Sequence, residues 1–409
     1  MKNLNIEIDS MPLDLNPLTT LDYCGRYISY LLFEPLKSKA NCKIKANCTH
    51  DIYEINIHQD YEKCFSSYDI LNCLLFHLNN KNKSPFFKHL IYIKNAYLYN
   101  KGYCDLEKLG ISCTSKYSLE IELERSYIGF EKVLQAPFIV PLNSLNKPVI
   151  KKEFLITNNQ IKVEDFSSSY QNICFVLNDE INESINLYNK GIIDITCHTQ
   201  FHHQNFNIVN SEELIHIKSD LLFLLEINDS NLKNFIQNFW FPPDWNNLVV
   251  RPTNTFIGLK TENIDKKNIK IDKIEKCRLT IAYSDFYPNN IIVDFLKKDL
   301  EKLGFSMEVY KFSDFNYFTQ MNKKEFDIIL RITFPQFESE LAHISNFIWD
   351  IKEKETRNYY MNSLLENKEE NFLSLNSTDH YLPIYNMNFN YMNFNEQEIS
   401  VNKFGFLTF

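Results

Sequence analysis

The stretch Arg278-Leu279-Thr280-Ile281-Ala282-Tyr283 is followed by a helical pattern from Asn290 to Leu303, and then by the segment from Ser306 to Tyr310. The first and last segments have the length and apolar content of short buried strands, and Gly304 stands where a helix ends in a left-handed residue. Two strands joined by one helix form a βαβ unit, in which the strands are parallel. A further strand over 327–332 extends the pattern, which therefore predicts an α/β lobe.

The size and composition of the chain indicate more than one such unit. A chain of 409 residues with 33 Phe and 23 Tyr is too long for one ordinary core and apolar enough to fold into two or three lobes. The formal net charge of -9 is spread in short mixed runs, so no nucleic-acid or anionic-membrane surface is expected. No apolar run approaches the roughly 18 residues of a membrane span. The sequence therefore predicts a protein with neither a nucleic-acid partner nor a membrane span.

The flanking sequence gives the remaining elements. Residues 3–8 alternate apolar and polar side chains, as a half-buried strand does, and residues 22–33 have helical spacing. A hairpin-like pair is predicted from Tyr97–Leu109 and Ser118–Leu123, and residues 381–409 read as strands.

Catalytic and metal-binding patterns are weak in this sequence. With only 8 Gly, phosphate loops are nearly excluded, and no G-x-S-x-G, H-E-x-x-H, Walker or Rossmann motif occurs. Cys197-His198 and His202-His203 form the one metal-like grouping, since His198 and His202 would share a face of a helix. The grouping follows a strand in Asn- and Gln-rich sequence, which favours a polar loop. We expect no catalytic residue, metal site or cofactor.

Several short fragments in one fixed order resemble the extracellular solute-binding protein family 5. These are the oligopeptide-, dipeptide- and nickel-binding receptors of ABC importers. The fragments are Leu15-Asn16-Pro17-Leu18, Tyr30 to Leu36, Phe87 to Ala96, Asn100-Lys101-Gly102, Leu109-Gly110-Ile111, Lys190 to Ile195, Leu300 to Phe305 and Leu382-Pro383-Ile384-Tyr385.

The resemblance implies a binding protein of the type II, two-lobed periplasmic-binding-protein-like fold, in a compact version of the three-domain family variant. The first lobe is expected to combine residues 1–40, 150–215 and 385–409, with a small accessory lobe at 41–149 and an α/β second lobe at 216–384. The implied ligand is a small molecule, in the first place a short peptide, bound between the lobes of a monomer. ABC permease subunits are the protein partners that this family implies.

The same resemblance places the ligand where the segment 334–338 faces residues 16–27. Family members carry there a Pro- and Asp-rich segment whose carboxylate binds the peptide amino group, and it aligns with Phe334-Pro335-Gln336-Phe337-Glu338, which lacks the Asp. Arg26 is predicted to bind a ligand carboxylate and Glu338 an amine. Aromatic residues near these segments either clasp a ligand or pack in the core. The candidate ligand-binding residues are Tyr23, Arg26, Trp240, Phe334, Gln336, Phe337 and Glu338.

Two alternatives remain open at this stage. A cytoplasmic ligand sensor on the same fold, related to sugar-stress regulators, has no transport role, and an enzyme with an unrecognised site is a third interpretation. The family resemblance implies a periplasmic or extracytoplasmic location. The sequence shows no signal-peptide pattern at its start, and its 10 Cys include no C-x-x-C pair, which favours a reducing compartment.

Thiol titration tests the redox expectation. Because the cysteines are dispersed and several have apolar neighbours, we expect about eight or more of the 10 to react under denaturing, non-reducing conditions. A count of about two or fewer would indicate an oxidised, exported protein.

Overall fold

Three β-sheets of four to six strands, flanked by helices, and one two-stranded ladder form the chain in the computed structural model. The structure describes residues 2–37, 40–164, 170–178, 180–209, 213–257, 277–313, 325–375, 377–393 and 400–408. The sequence also predicts a polar loop at 260–276, which lies outside these residues.

The first sheet is built from the N-terminal strand and three strands from the middle of the chain. Strand β1 (Lys2–Ile8) pairs in parallel with β8 (Tyr170–Leu177), and β7 (Gln160–Glu164) and β6 (Phe154–Ile156) follow antiparallel. The alternation predicted for β1 is present, since Leu4, Ile6 and Ile8 are all buried. Helix α1 (Tyr23–Leu32) begins after Asp22, whose carboxylate accepts a hydrogen bond from the Gly25 N–H at 2.5 Å. Helix α6 (Ser184–Asn189) also belongs to this part of the chain.

The second sheet is antiparallel and lies within residues 41–149. Its strand order is β2 (Cys42–Ala46), β3 (Ile52–Ile57), β5 (Ser118–Glu122) and β4 (Ile111–Ser115). Its helices are α2 (Ser67–Leu78), α3 (Phe87–Leu90), α4 (Ala96–Asn100) and α5 (Phe130–Leu134). The hairpin predicted from Tyr97–Leu109 is wrong in its first arm, because that arm begins as helix α4. Strand β5 pairs with β4 instead, across the short turn between them.

The third sheet has six strands and contains the βαβ unit. Its order is β10 (Val250–Pro252), β14 (Tyr381–Met392), β9 (Leu214–Ile227), β13 (Ile328–Thr333), β11 (Arg278–Ser284) and β12 (Ser306–Phe312). Strand β11 is parallel to both β12 and β13, as a βαβ unit requires. The helices are α7 (Ser230–Phe239), α8 (Asn289–Lys302), α9 (Ala342–Phe347) and α10 (Lys354–Leu365), and β15 (Ser400–Val401) pairs with β16 (Leu407–Thr408).

The long strands β9 and β14 connect the first and third sheets. They are antiparallel neighbours from Tyr381 opposite Glu226 to Met392 opposite Leu214, with two irregularities in register between Pro383 and Asn388. At the far end, Ile195 forms bridges to both Ile6 of β1 and Asn393, which follows β14. The two lobes are therefore joined by a pair of hydrogen-bonded strands.

Residues 41–149 share a hydrophobic core with residues 337–375. One cluster contains Tyr53 and Leu119 of the second sheet together with Ile344 of α9 and Leu364 of α10. The contact is also polar, because the Ile128 N–H donates to the Leu365 carbonyl oxygen at 2.9 Å. The accessory lobe was predicted to end at residue 149 and the second lobe at residue 384. Both boundaries stay predictions, because the accessory lobe and the second lobe share this core.

Substitution of Ile344 by alanine tests whether this core is shared. Ile344 is fully buried, so Ile344→Ala is expected to lower the free energy of unfolding in urea by about 2–5 kcal/mol. Leu145→Ala, at a side chain 74% exposed, should change it by under about 0.5 kcal/mol. Hydrogen exchange should accelerate in both 41–149 and 337–375. Acceleration confined to 337–375 would show that the two parts have separate cores.

Candidate ligand-binding site

A cavity of about 250 Å³ lies between the two lobes, where several strands end. Asp9 directly follows β1 of the first lobe, whereas Asp285, Ser313 and Phe334 directly follow β11, β12 and β13 of the second lobe. The carboxyl ends of parallel strands are the usual place for ligands in α/β sheets, because loops of varied chemistry meet there. The topology thus brings two such strand ends to face each other across one cavity.

Both lobes contribute polar and aromatic side chains to the cavity wall. The first lobe provides Asp9, Ser10, Asp22, Tyr23, Cys24 and Thr199, and the second lobe provides Ser284, Asp285, Phe286, Asn289, Ser313 and Phe334. Three of these side chains are carboxylates, and among the described residues that line the cavity none is Lys, Arg or His.

Asp9 is the carboxylate at the end of β1. The Thr199 hydroxyl donates to its Oδ2 at 2.6 Å, and the Ser10 hydroxyl donates to its Oδ1 at 2.9 Å. Burial raises the pKa of Asp9 above its usual range, and the hydrogen bond from Thr199 opposes that shift. Within the described chain, no basic side chain lies within ion-pair distance of this carboxylate.

Asp285 and Asn289 lie on the opposite wall, at the start of α8. The Asp285 carboxylate is paired with Lys311 Nζ at 2.9 Å, so its charge is compensated. The Asn289 side chain is 1% exposed, and its amide nitrogen donates to the Ser284 carbonyl oxygen at 2.9 Å. A carbonyl oxygen only accepts, so this bond fixes the orientation of the amide. The Asn289 Oδ1 then has no partner within the described chain.

Next to the cavity, the segment after β13 lies along α1. Phe334 contacts the Tyr23 ring edge-on at a centroid distance of 5.4 Å, and the Gln336 Oε1 accepts from the Arg26 guanidinium at 3.1 Å. Glu338 and Tyr30 both line a second cavity of about 270 Å³ on the far side of this contact. Phe334 and Gln336 therefore contact successive turns of α1, at Tyr23 and Arg26.

Arg26 is buried at the centre of the contact between the lobes. Its guanidinium lies over the rings of Phe334 and Phe406, at 4.7 and 4.6 Å from their centroids, and the residue is 5% exposed. Burial lowers the pKa of Arg26 to about 9, although nearby Tyr23 and Tyr30 favour the charged form. Cation–π contacts and one amide hydrogen bond offset part of the cost of burying this charge. In this structure Arg26 joins the lobes to each other.

The other candidates from the sequence lie in different surroundings. Trp240 is buried in the core at the end of α7, and the Phe337 ring packs against His89 of α3 at 5.7 Å. Glu338 is exposed and accepts a hydrogen bond from the Asn402 side chain at 3.1 Å. Of the seven candidates, Tyr23 and Phe334 line the cavity between the lobes, and their role as ligand contacts stays a prediction.

The histidines of the metal-like grouping are dispersed among aromatic side chains. His198 is buried, with its Nε2 at 2.8 Å from the Tyr23 hydroxyl, while the His202 ring lies 5.0 Å from that of Tyr287. The Tyr23 hydroxyl is also 3.2 Å from the carbonyl oxygen of Gly405. Gly405 has φ +84°, and a Cβ there would lie 2.4 Å from that hydroxyl, so this position requires glycine.

Asp9, Thr199, Asp285 and Asn289 were not recognised from the sequence. A signal was present for two of them, because Asp9 comes directly after the predicted strand 3–8 and Asp285 comes two residues after the predicted strand 278–283. The side chains that end parallel strands could have been chosen as candidates on that rule alone. Thr199 and Asn289 carried no such signal, since their importance depends on which side chains they meet.

The fold is shared with peptide-binding proteins whose sequences are very different. Listeria monocytogenes OppA bound to peptide superimposes with a TM-score of 0.76 at 14% identity, covering 99% of this chain and 97% of that one. The Escherichia coli murein tripeptide binding protein MppA gives 0.77 at 14% identity, with 99% and 97% covered. No protein-family model and no curated protein sequence matches the chain. The chain has the two-lobed periplasmic-binding-protein-like fold. The resemblance drawn from the sequence is thereby confirmed at the level of the fold.

Two further structures of the same fold differ in how well they superimpose. Haemophilus influenzae OppA in complex with the peptide RPPGFSPFR gives a TM-score of 0.78 at 11% identity, with 98% of this chain and 95% of that one covered. The unliganded open form of MppA gives 0.61 at 13% identity, with 99% and 96% covered. In this chain the two lobes are in contact where α1 meets Phe334 and Gln336. Among the described residues, no helix is long and apolar enough to cross a membrane.

Acid titration tests the burial of His198 beside the cavity. Burial lowers the pKa of His198 to about 3, whereas the pKa in an unfolded chain is about 6.5. Between these values only the unfolded chain binds the proton, so stability is full above about pH 6.5 and decreases as the pH falls. His198→Gln should make this decrease shallower by up to about 1.4 kcal/mol per pH unit, measured by urea unfolding. An unchanged slope would mean that His198 titrates normally in the folded protein.

Proposed function

We propose that this protein is a receptor that binds a short peptide in the cavity between its lobes and delivers it to an ABC importer. The observation that carries the proposal is the cavity itself, at the facing strand ends of a two-lobed fold. Its wall combines aromatic rings with polar groups, the mixture that buries a small ligand and fixes its orientation. Peptides are bound by several proteins of this fold.

The volume of the cavity favours a ligand near the size of a dipeptide. A cavity of 150 Å³ in another protein holds benzene, so about 250 Å³ accommodates roughly ten non-hydrogen atoms. A dipeptide with small side chains has this size. The contact between Arg26 and Gln336 bounds the space beyond Phe334, so a longer peptide requires the lobes to separate at α1.

Closure of the lobes on the ligand links binding to transport in this proposal. A ligand that touches both walls binds the closed arrangement more tightly than the open one, and this difference in affinity drives closure. The contacts of Arg26 with Phe334, Phe406 and Gln336 stabilise the closed state even when no ligand is bound. A permease that recognises the closed form then binds the receptor together with its ligand.

Native mass spectrometry and calorimetry test the proposal. The protein purified without denaturation is expected to carry a bound peptide of about two or three residues, and added dipeptides should bind in titration calorimetry. Phe286→Ala, in the cavity wall, should weaken dipeptide binding by about tenfold or more, close to 1.4 kcal/mol.

Phe305→Ala provides the matched control. Phe305 is partly buried like Phe286 but packs against Phe235, at a ring distance of 5.4 Å, outside the set of residues described for the cavity. Dipeptide affinity should be unchanged in this variant. The proposal is wrong if no peptide copurifies and neither dipeptides nor tripeptides bind at millimolar concentration.

A further inference from the structure

Asp9 is a carboxylate in a cavity wall whose described residues include no Lys, Arg or His. Its two oxygens accept from the Thr199 and Ser10 hydroxyls, which orient the carboxylate but do not neutralise it. Asp285, the carboxylate across the cavity, is paired with Lys311. Asp22, the third carboxylate of the wall, accepts from the Gly25 N–H and the Thr20 hydroxyl at the start of α1, so its oxygens are engaged in capping that helix. Of the two acidic side chains at the strand ends, only Asp9 has no basic side chain at ion-pair distance among the described residues.

A second, independent feature of the cavity also requires a hydrogen-bond donor. The Asn289 Oδ1 is buried without a partner in the described chain, and the orientation of the amide is fixed by its bond to the Ser284 carbonyl oxygen. A buried acceptor without a partner costs about 1–3 kcal/mol. The oxygen is enclosed in this structure, so a ligand N–H reaches it only after a small shift of the cavity wall, and the hydrogen bond then formed would recover this free energy. An anionic group at the start of α8 would instead face an acceptor atom and the carboxylate of Asp285.

Resting on the proposed function, we infer that the ligand is bound with its ammonium group at Asp9 in the first lobe and a peptide N–H at Asn289 in the second. This assignment differs from the expectation drawn from the sequence, in which Glu338 of the second lobe bound the amine. Glu338 is exposed and lies on the far side of the contact between Arg26 and Gln336, whereas Asp9 lies in the cavity. Because the anchors come from different lobes, a single dipeptide contacts both and holds them together.

The probes that test this assignment are Ala-Ala and its N-acetylated form. Acetylation removes the positive charge but also adds the two carbons and one oxygen of the acetyl group, so the variant described next is needed to separate the effect of charge from that of size. Calorimetric titration of the wild-type protein should show that Ala-Ala binds at least about tenfold more tightly than N-acetyl-Ala-Ala. If Ala-Ala itself does not bind, a free dipeptide that does bind and its acetylated form replace the pair.

Asp9→Asn is the decisive variant, because it keeps the shape of the side chain and removes its charge. The amide can still accept from Thr199, so folding is expected to be preserved, which a thermal unfolding curve verifies. The affinity for the free dipeptide should decrease by about ten- to a hundredfold, and the preference over the acetylated form should disappear.

Asp299→Asn is the control, since it makes the same change outside the residues described for the cavity, at a carboxylate that is paired with Lys302 Nζ at 2.8 Å. Its dipeptide affinity should change by less than about threefold. Equal affinity for both probes in the wild type, or an equal loss of affinity in Asp9→Asn and Asp299→Asn, would overturn the assignment to Asp9 while peptide binding itself stands. Failure of every peptide to bind would contradict the proposed function as well.

Discussion

The antiparallel pairing of β9 with β14 is the interaction on which the rest of the structure depends. These strands run as hydrogen-bonded neighbours from the six-stranded sheet toward the first lobe, where Ile195 connects them to β1. The pairing fixes which strand ends face each other. Its register is irregular between Pro383 and Asn388, so the departures from regular sheet geometry are concentrated in this part of the two strands. The position of the cavity follows from this pair of strands.

Burial of Arg26 at the contact between the lobes costs free energy. Removing a guanidinium from water is unfavourable, and within the described chain Arg26 has no carboxylate at ion-pair distance. Two aromatic faces and one amide oxygen take the place of a counter-ion. Such an arrangement stabilises the closed contact modestly, because separation of the lobes returns the charge to water.

The accessory part of the chain contributes to the site indirectly. Its core is continuous with that of α9 and α10, and His89 of α3 packs against Phe337, three residues after Phe334. The segment 334–338 is therefore held between α1 on one side and helix α3 of the accessory part on the other. This packing explains why Phe337, an aromatic residue chosen as a ligand contact from the sequence, lies in a core instead. Neighbouring residues of one short segment face the cavity, the lobe contact and the core in turn.

The sequence alone determined the βαβ unit and the helix after Asp22, because these depend on local periodicity. It also predicted a binding fold without a recognisable catalytic motif. The first arm of the hairpin at Tyr97–Leu109 was mispredicted, since its aromatic residues suit a strand as well as the short helix that tertiary packing selects. Only the tertiary structure decided that Asp9, Thr199, Asp285 and Asn289 share one cavity, and that Arg26 is buried by Phe406. These residues are far apart in the chain, and charge compensation depends on distances in space that no local pattern of residues specifies.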